Sequence, residues 1–254
     1  MALSVQIFSP AGGEDAAPTP PVVFLHGFAS SGASDWVAGG WHEAATATGR
    51  TAVVVDLPGH GANAAAVDAG VGTTAVVRAL SDAVDAAIAA AGAEQADVVA
   101  YSLGARLAWE LPAANPRVRR LVLGGISPFD PFAQLDTAAL RAASAGTQEP
   151  TSPLIGMMAQ MVSAPGNDPE SLIALIDGLA SEPFLPGRTA GAATPSGAPQ
   201  LPTLFVAGSD DMMTGGIEGL VELVPDAALL RVPGDHHGAL GSAEFRAAAL
   251  DFLR

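Results

Sequence analysis

The sequence predicts an α/β domain: a mostly parallel central sheet flanked by helices and interrupted once by an inserted helical cap. Short β-rich runs alternate with longer alanine-rich segments of helical period, which is the pattern of βα units. The alternation lapses between residues 127 and 200. One apolar run, "DVVAY", passes through Ser102 directly into a helical pattern. With 254 residues, 49% of them hydrophobic, the chain can bury one sizeable core. Residues 1–126 and 201–254 are read as that core and 127–200 as the cap.

In chain order the strand candidates are "SVQIF", "PVVFLHG", "TAVVVDL", "ADVVAYS", "RRLVLGG", "PTLFVAG" and "AALLRVPG". The run "TAVVRALSDAVDAAIAAAG" is a long helix with Gly92 as its stop. A helix starts after Ser102 and is expected to end near Glu110, because Pro112 disfavours helical backbone at Leu111. The cap opens and closes on Pro, Gly, Ser and Thr and carries two short helical pieces, "SPLIGMMAQMV" and "ESLIALIDGLA". Insertions of this kind are commonly lids or binding elements. Met157, Met158 and Met161, with Leu172 and Leu175, suit an adaptable apolar wall over a substrate. The last helix, in "SAEFRAAALDFLR", takes Ser242 as N-cap and buries Phe245, Leu250 and Leu253.

Composition excludes several function classes. Lysine is absent, all eleven basic residues are arginine, and the formal charge is −15. Nucleic acids and anionic membranes need a basic face, so the expected partner is a small, neutral molecule. Without cysteine there are no disulfides, thiolate nucleophiles or Cys-ligated metals. The N-terminus lacks a positive flank and a long apolar stretch, and no window approaches the ~18 unbroken apolar residues of a membrane span. These features predict a cytoplasmic protein, monomeric or homodimeric.

A nucleophile at a sharp strand–turn–helix junction needs small residues two positions before and after it, here Ala100 and Gly104. A serine hydroxyl also needs a base, and the base needs an orienting carboxylate. Candidates follow in the order Ser, Asp, His: Asp210 or Asp211 after the sixth strand, His236 or His237 after the seventh. Both loops lie at the C-terminal edge of the sheet, where ligands gather in such folds. Two backbone donors for an oxyanion are expected from Leu103, at the start of the helix after Ser102, and from Phe28, in the turn after "VVFLHG". His26 and the "DLPGHG" residues Asp56 and His60 are read as pinning loops rather than as catalysts.

On "VVFLHGFASSGASDW", "VVVDLPGHG", "AYSLGARLA", "RVRRLVLGG", "LFVAGSDD" and "VPGDHHGALGSAEFRAAALDFL", the chain resembles the α/β-hydrolase superfamily over nearly its whole length. The family acid usually stands three residues after the glycine that closes its strand; Gly208 then points to Asp211. The Asp-His, two residues, Ala pattern before a terminal helix selects His236, although counting from Gly234 would select His237. Serine as nucleophile implies acyl chemistry: Ser102 attacks, His236 relays the proton and Asp211 holds the imidazole, with no cofactor or metal. The implied activity is hydrolysis of small to medium neutral carboxylic esters. The chain also resembles the lyases that make 2-succinyl-6-hydroxy-2,4-cyclohexadiene-1-carboxylate, which would give Tyr101 and Arg106 substrate-binding roles. That substrate carries several carboxylates, whereas the cap brings only Arg141 and Arg188. C–C bond hydrolysis is a further option within the same superfamily.

Overall fold

The computed structural model describes residues 1–11, 18–64, 67, 70–187 and 197–254. Arg188, and parts of the "AGGEDAAPTPP" and "GRTAGAATPSGAPQ" stretches, lie outside the described residues. Seven strands form one sheet: β1 (Val5–Phe8), β2 (Val22–Leu25), β3 (Ala52–Val55), β4 (Ala96–Tyr101), β5 (Val118–Gly124), β6 (Thr203–Gly208) and β7 (Ala227–Val232). Their order is β1-β3-β2-β4-β5-β6-β7. Only β1 runs antiparallel, pairing Val5 with Val55. Each predicted strand forms; β2, β3, β4 and β6 are apolar runs buried on both faces, which can satisfy their backbone only in a sheet interior, while β1 and β7 are partly exposed edges.

The side-chain period of two divides the core into two layers. On β4, Val98 and Ala100 join one apolar cluster while Val99 and Tyr101 join the other. The first cluster is covered by α2 (Thr73–Ala91) and α3 (Leu103–Ala114), the second by α1 (Trp41–Ala47) and α9 (Ala243–Phe252). Gly92 ends α2 in the left-handed region with φ 61°. Ser242 caps α9 by accepting from the Phe245 amide, and Phe245 and Leu253 are buried, whereas Leu250 is half-buried, against expectation. The expected stop before Pro112 is also corrected, since α3 continues through it to Ala114. A proline in the last turn forfeits one backbone bond, and the end of α3 is anchored instead by buried Asn115. Its side-chain amide donates to the Ser81 carbonyl and to Asp85 on α2.

Between β5 and β6 lie α4 (Thr137–Ser144), α5 (Pro153–Val162) and α6 (Pro169–Ser181). All three have acidic or serine N-caps: Asp136, Ser152 and Asp168. The far end of α6 is tied to the core, because the Glu182 carboxylate accepts from the Thr74 amide at 2.6 Å and its carbonyl accepts from the Thr73 hydroxyl. Leu172 and Leu175 are fully buried in the first core cluster and do not line the cavity described below. Two short helices complete the chain, α7 (Glu218–Val221) and α8 (His236–Leu240). Among the described residues no helix is long and apolar enough to cross a membrane.

At the N-terminal edge of the sheet Asp97 is fully buried and accepts from Arg50 and, through both oxygens, from Arg119 at 2.9 and 2.7 Å. Both guanidinium groups also donate to the carbonyl of Leu253, which pins the end of α9 to the sheet. Asp97→Asn leaves two cations without their shared anion in a dry site, an arrangement that costs about 3–5 kcal/mol. The variant is expected to lower the denaturant midpoint by a corresponding amount, with the slope of the transition unchanged. A midpoint within experimental error of wild type would show the cluster to be energetically idle.

Candidate active site

The C-terminal end of β4, fourth of the seven strands, turns abruptly at Ser102, whose φ of 52° and ψ of −114° are strained for a residue with a side chain. Three backbone bonds hold it there. The Ser102 amide donates to Gly124, that of Gly104 to His26, and that of Arg106 to the Ser102 carbonyl. Gly104 is obligatory, since a Cβ at that position would lie 2.4 Å from the Leu25 carbonyl oxygen. Ala100 is fully buried just before the turn.

The structure brings Ser102, His236 and Asp211 into one line. His236 Nε2 lies 3.0 Å from Ser102 Oγ, and Nδ1 lies 2.8 Å from Asp211 Oδ2. A carboxylate only accepts, so Nδ1 carries the proton and the Nε2 lone pair faces the hydroxyl. Asp211 is itself fixed: its side chain is fully buried, and Oδ1 accepts from the Met213 amide at 2.9 Å, capping a short 3₁₀ turn. The two loop neighbours line the same cavity but are not bonded to Ser102 or His236. Asp210 is exposed and bonds Ser209, and His237 is exposed at a ring distance of 6.0 Å from His236. Asp235 caps α8 through the amides of Gly238 and His237, and these bonds hold its carboxyl below the usual range.

The turn after β2 is built so that one amide is left over. The Gly27 amide donates to Asp35 at 3.0 Å and that of Ala29 to His60 Nε2 at 2.9 Å. Among the described residues neither Phe28 N–H, between them, nor Leu103 N–H has an acceptor. His60 Nδ1 donates to the Pro58 carbonyl, and His26 Nδ1 donates to Gly27 while its Nε2 accepts from Leu57. Both rings are therefore neutral, single-tautomer props. Burial drives the His60 pKa down to about 3, helped by His26, and lowers His26 as well. Asp56 accepts from the Gly32 and Ala62 amides, in keeping with a loop-pinning residue. Asp35 was not singled out by sequence reasoning. It sits on a π-helical turn, Ala33–Val37, whose period gives no local signal.

These groups open onto a cavity of about 860 Å³. Phe28, Phe132 and Phe184 form part of its wall, with Met157, Met158 and Met161 from α5 and Met212 and Met213 from the Asp211 loop. The last two were adjacent to a predicted acid yet gave no sequence signal of their own. Tyr101 also lines the cavity, but its hydroxyl donates to the His236 carbonyl at 2.5 Å, so it supports the histidine loop. Burial first, then Asp211, raises its pKa. Arg106 reaches the cavity wall already paired: Nη2 donates to Asp130 at 2.9 Å and to the carbonyls of Leu179 and Glu182. Among the described residues its Nε and Nη1 are buried without a partner. Arg141, on α4, pairs with Glu170 and Asp177 on α6 and does not line the cavity.

One turn beyond Arg106, buried Glu110 has an unpartnered Oε2, and burial raises its pKa from 4.5 to about 7 against the opposing pull of Arg106. The folded protein therefore binds this proton more tightly than the unfolded chain. Its contribution is present at low pH and is lost as pH rises from about 4.5 through 7. Glu110→Gln, which cannot ionise, is expected to gain stability relative to wild type across that window in denaturation curves. A difference that does not vary with pH would place the ionisation elsewhere.

Residues 20–145 match the family model described as alpha/beta hydrolase fold. No curated protein sequence matches the chain. Among solved structures, MenH from S. aureus aligns with a TM-score of 0.70 and 17% identity over 98% of this chain and 97% of that one. A putative non-heme bromoperoxidase, BpoC, from Mycobacterium tuberculosis H37Rv gives 0.69 and 23% over 99% and 95%. A thermophilic esterase from Thermogutta terrifontis gives 0.67 and 20% over 99% and 93%. The chain is an α/β-hydrolase-fold protein. At these identities the solved structures are alike in fold, and the reaction has to be argued from the site.

Proposed function

We propose that the protein is a serine hydrolase of small to medium neutral carboxylic esters, with Ser102, His236 and Asp211 as its triad. The observation that carries this reading is the line of two hydrogen bonds, 3.0 and 2.8 Å, from Ser102 through His236 to Asp211 at the floor of an apolar cavity. In the first step Ser102 Oγ attacks the acyl carbonyl while His236 Nε2 takes its proton. The carbonyl oxygen becomes an oxyanion and meets the N–H groups of Phe28 and Leu103. His236 then gives its proton to the departing alcohol, leaving an acyl-serine. Water, deprotonated by the same nitrogen, attacks that ester and releases the acid. Asp211 keeps the imidazole in the required tautomer and offsets its charge when protonated.

A second reading, the lyase that forms 2-succinyl-6-hydroxy-2,4-cyclohexadiene-1-carboxylate, draws support from Tyr101 and from the two unpartnered nitrogens of Arg106. Against it, the Arg106 charge is already met by Asp130, and Asp35, Asp210 and Asp235 line the cavity. A polycarboxylate would enter against a formal charge of −15. p-Nitrophenyl esters of increasing acyl length, assayed beside the lyase precursor, separate the readings. We expect kcat/KM to rise with each methylene, by up to about 0.8 kcal/mol, until the cavity is filled, with little dependence on salt. Efficient turnover of the precursor with negligible ester cleavage, and its loss in Arg106→Ala, would reverse the order.

A further inference from the structure

The chain has six methionines and no cysteine, so thioethers are its only sulfur. All of them except Met1 line the one cavity that holds Ser102. They come from two segments far apart in sequence, α5 and the turn after Asp211, so their convergence is a property of the fold. Three are open to solvent at the mouth: Met212 is 93% exposed, Met157 52% and Met213 44%. Met158 is only 7% exposed and Met161 half-buried, deeper in the wall. A methionine that merely fills a core gap is enclosed by its neighbours. Met212, Met157 and Met213, by contrast, line the cavity while presenting much of their surface to solvent.

We propose that this methionine rim is a site of reversible oxidation by hydroperoxides, and that its oxidation state sets the affinity of the cavity for apolar ligands. The sulfur lone pair attacks one oxygen of the peroxide and the O–O bond breaks. An S–O bond forms, and water or the corresponding alcohol leaves after taking up the proton. Sulfur is oxidised by two electrons and the peroxide reduced by two. The product is a polar, chiral sulfoxide that thiol-dependent reductases return to the thioether. Phe28, Phe129, Phe132, Phe184 and Leu240 share the cavity with these thioethers, and an apolar chain lying against the sulfoxides would leave their oxygens desolvated. Met212 and Met213 carry a second consequence, since they directly follow Asp211 in the chain and the Met213 amide holds its Oδ1. The inference rests on the proposed use of the cavity for apolar esters, but its test can be read without any turnover.

The intact protein is exposed to hydrogen peroxide, and three quantities are followed: sulfoxide at each methionine by peptide mass, the affinity for Nile red as an apolar probe, and hydrolysis of a medium-chain p-nitrophenyl ester. Met212 and Met157 are expected to oxidise first and Met158 last. Probe affinity and kcat/KM should fall about five- to thirtyfold, the range expected when one or two uncompensated dipoles face an apolar ligand. Methionine sulfoxide reductases A and B should restore both. In Met157→Leu/Met212→Leu/Met213→Leu, with each preparation compared only with its own untreated form, peroxide should have little effect. Sulfoxides at Met157 and Met212 with unchanged probe affinity would overturn the proposal. So would losses that the reductases fail to repair, or losses of equal size in the triple variant. Should that variant fail to fold, repair of the wild type decides alone. An ester reading that fails leaves the mass and probe measurements intact and is thereby told apart.

Discussion

Ser102→Ala is expected to reduce ester turnover by about 10⁴-fold or more while the protein remains folded. The substitution deletes Oγ and its 3.0 Å bond to His236 but keeps Cβ, so the strained backbone at φ 52° and the backbone bonds to Gly124 and Arg106 are those of wild type. A near-identical melting curve should therefore accompany the loss. The Phe28 and Leu103 amides survive the change and account for any residual rate over the uncatalysed reaction. Turnover above a few per cent of wild type would mean that another nucleophile does the work. Failure of wild-type Ser102 to react with a fluorophosphonate would carry the same message.

The second large effect concerns the loop partners. His236→Ala removes the only base within reach of Oγ among the described residues, and Asp211→Asn replaces an acceptor with an amide that permits the wrong tautomer. Each is expected to lower kcat by orders of magnitude, about 10³- to 10⁴-fold for the asparagine, with KM little altered. His237→Ala and Asp210→Asn, both exposed and neither bonded to the Ser102–His236 line, should cost about tenfold or less. The contrast is internal to each dipeptide, so differences in expression or loop stability cannot mimic it. A reversed ranking in either pair would overturn that assignment and leave the elbow untouched.

The sheet was legible because each strand is a short apolar run, and all but β4 are closed within a few residues by Gly, Pro or Asp. The elbow was legible because close backbone approach demands Ala100 and Gly104 whatever the rest of the chain does. At Asp210-Asp211 and His236-His237 the residues alone left two choices. Adjacent positions share a loop, and only the direction of each side chain separates them. Asp211 faces inward because it caps the turn at Met212–Thr214, a fact settled by backbone geometry. Partnerships across the chain gave no signal. Arg106 meets Asp130 and the Leu179 carbonyl, 24 and 73 positions away, and nothing near Arg106 in sequence announces either. Pro112 misled for the opposite reason, because a strong local preference was overruled by anchoring at Asn115.

The bonds around Asp97 bear on how the molecule is made. Arg50 and the Leu253 carbonyl that it holds are separated by 203 positions, and His236 joins Ser102 across 134. A ribosome delivers the turn at Ser102 and five of the seven strands well before either partner emerges. During that interval Asp97 and its two arginines have no final acceptor at Leu253, and the edge of β5 that β6 will occupy stands open. The nascent chain thus carries an unpaired sheet margin for the time needed to synthesise the helices α4 to α6 and the segment after them. Biosynthesis of this protein places its exposure to chaperones and to misassembly in that window, which the pairing of β6 with β5 closes, and the Leu253 carbonyl reaches the two arginines only later.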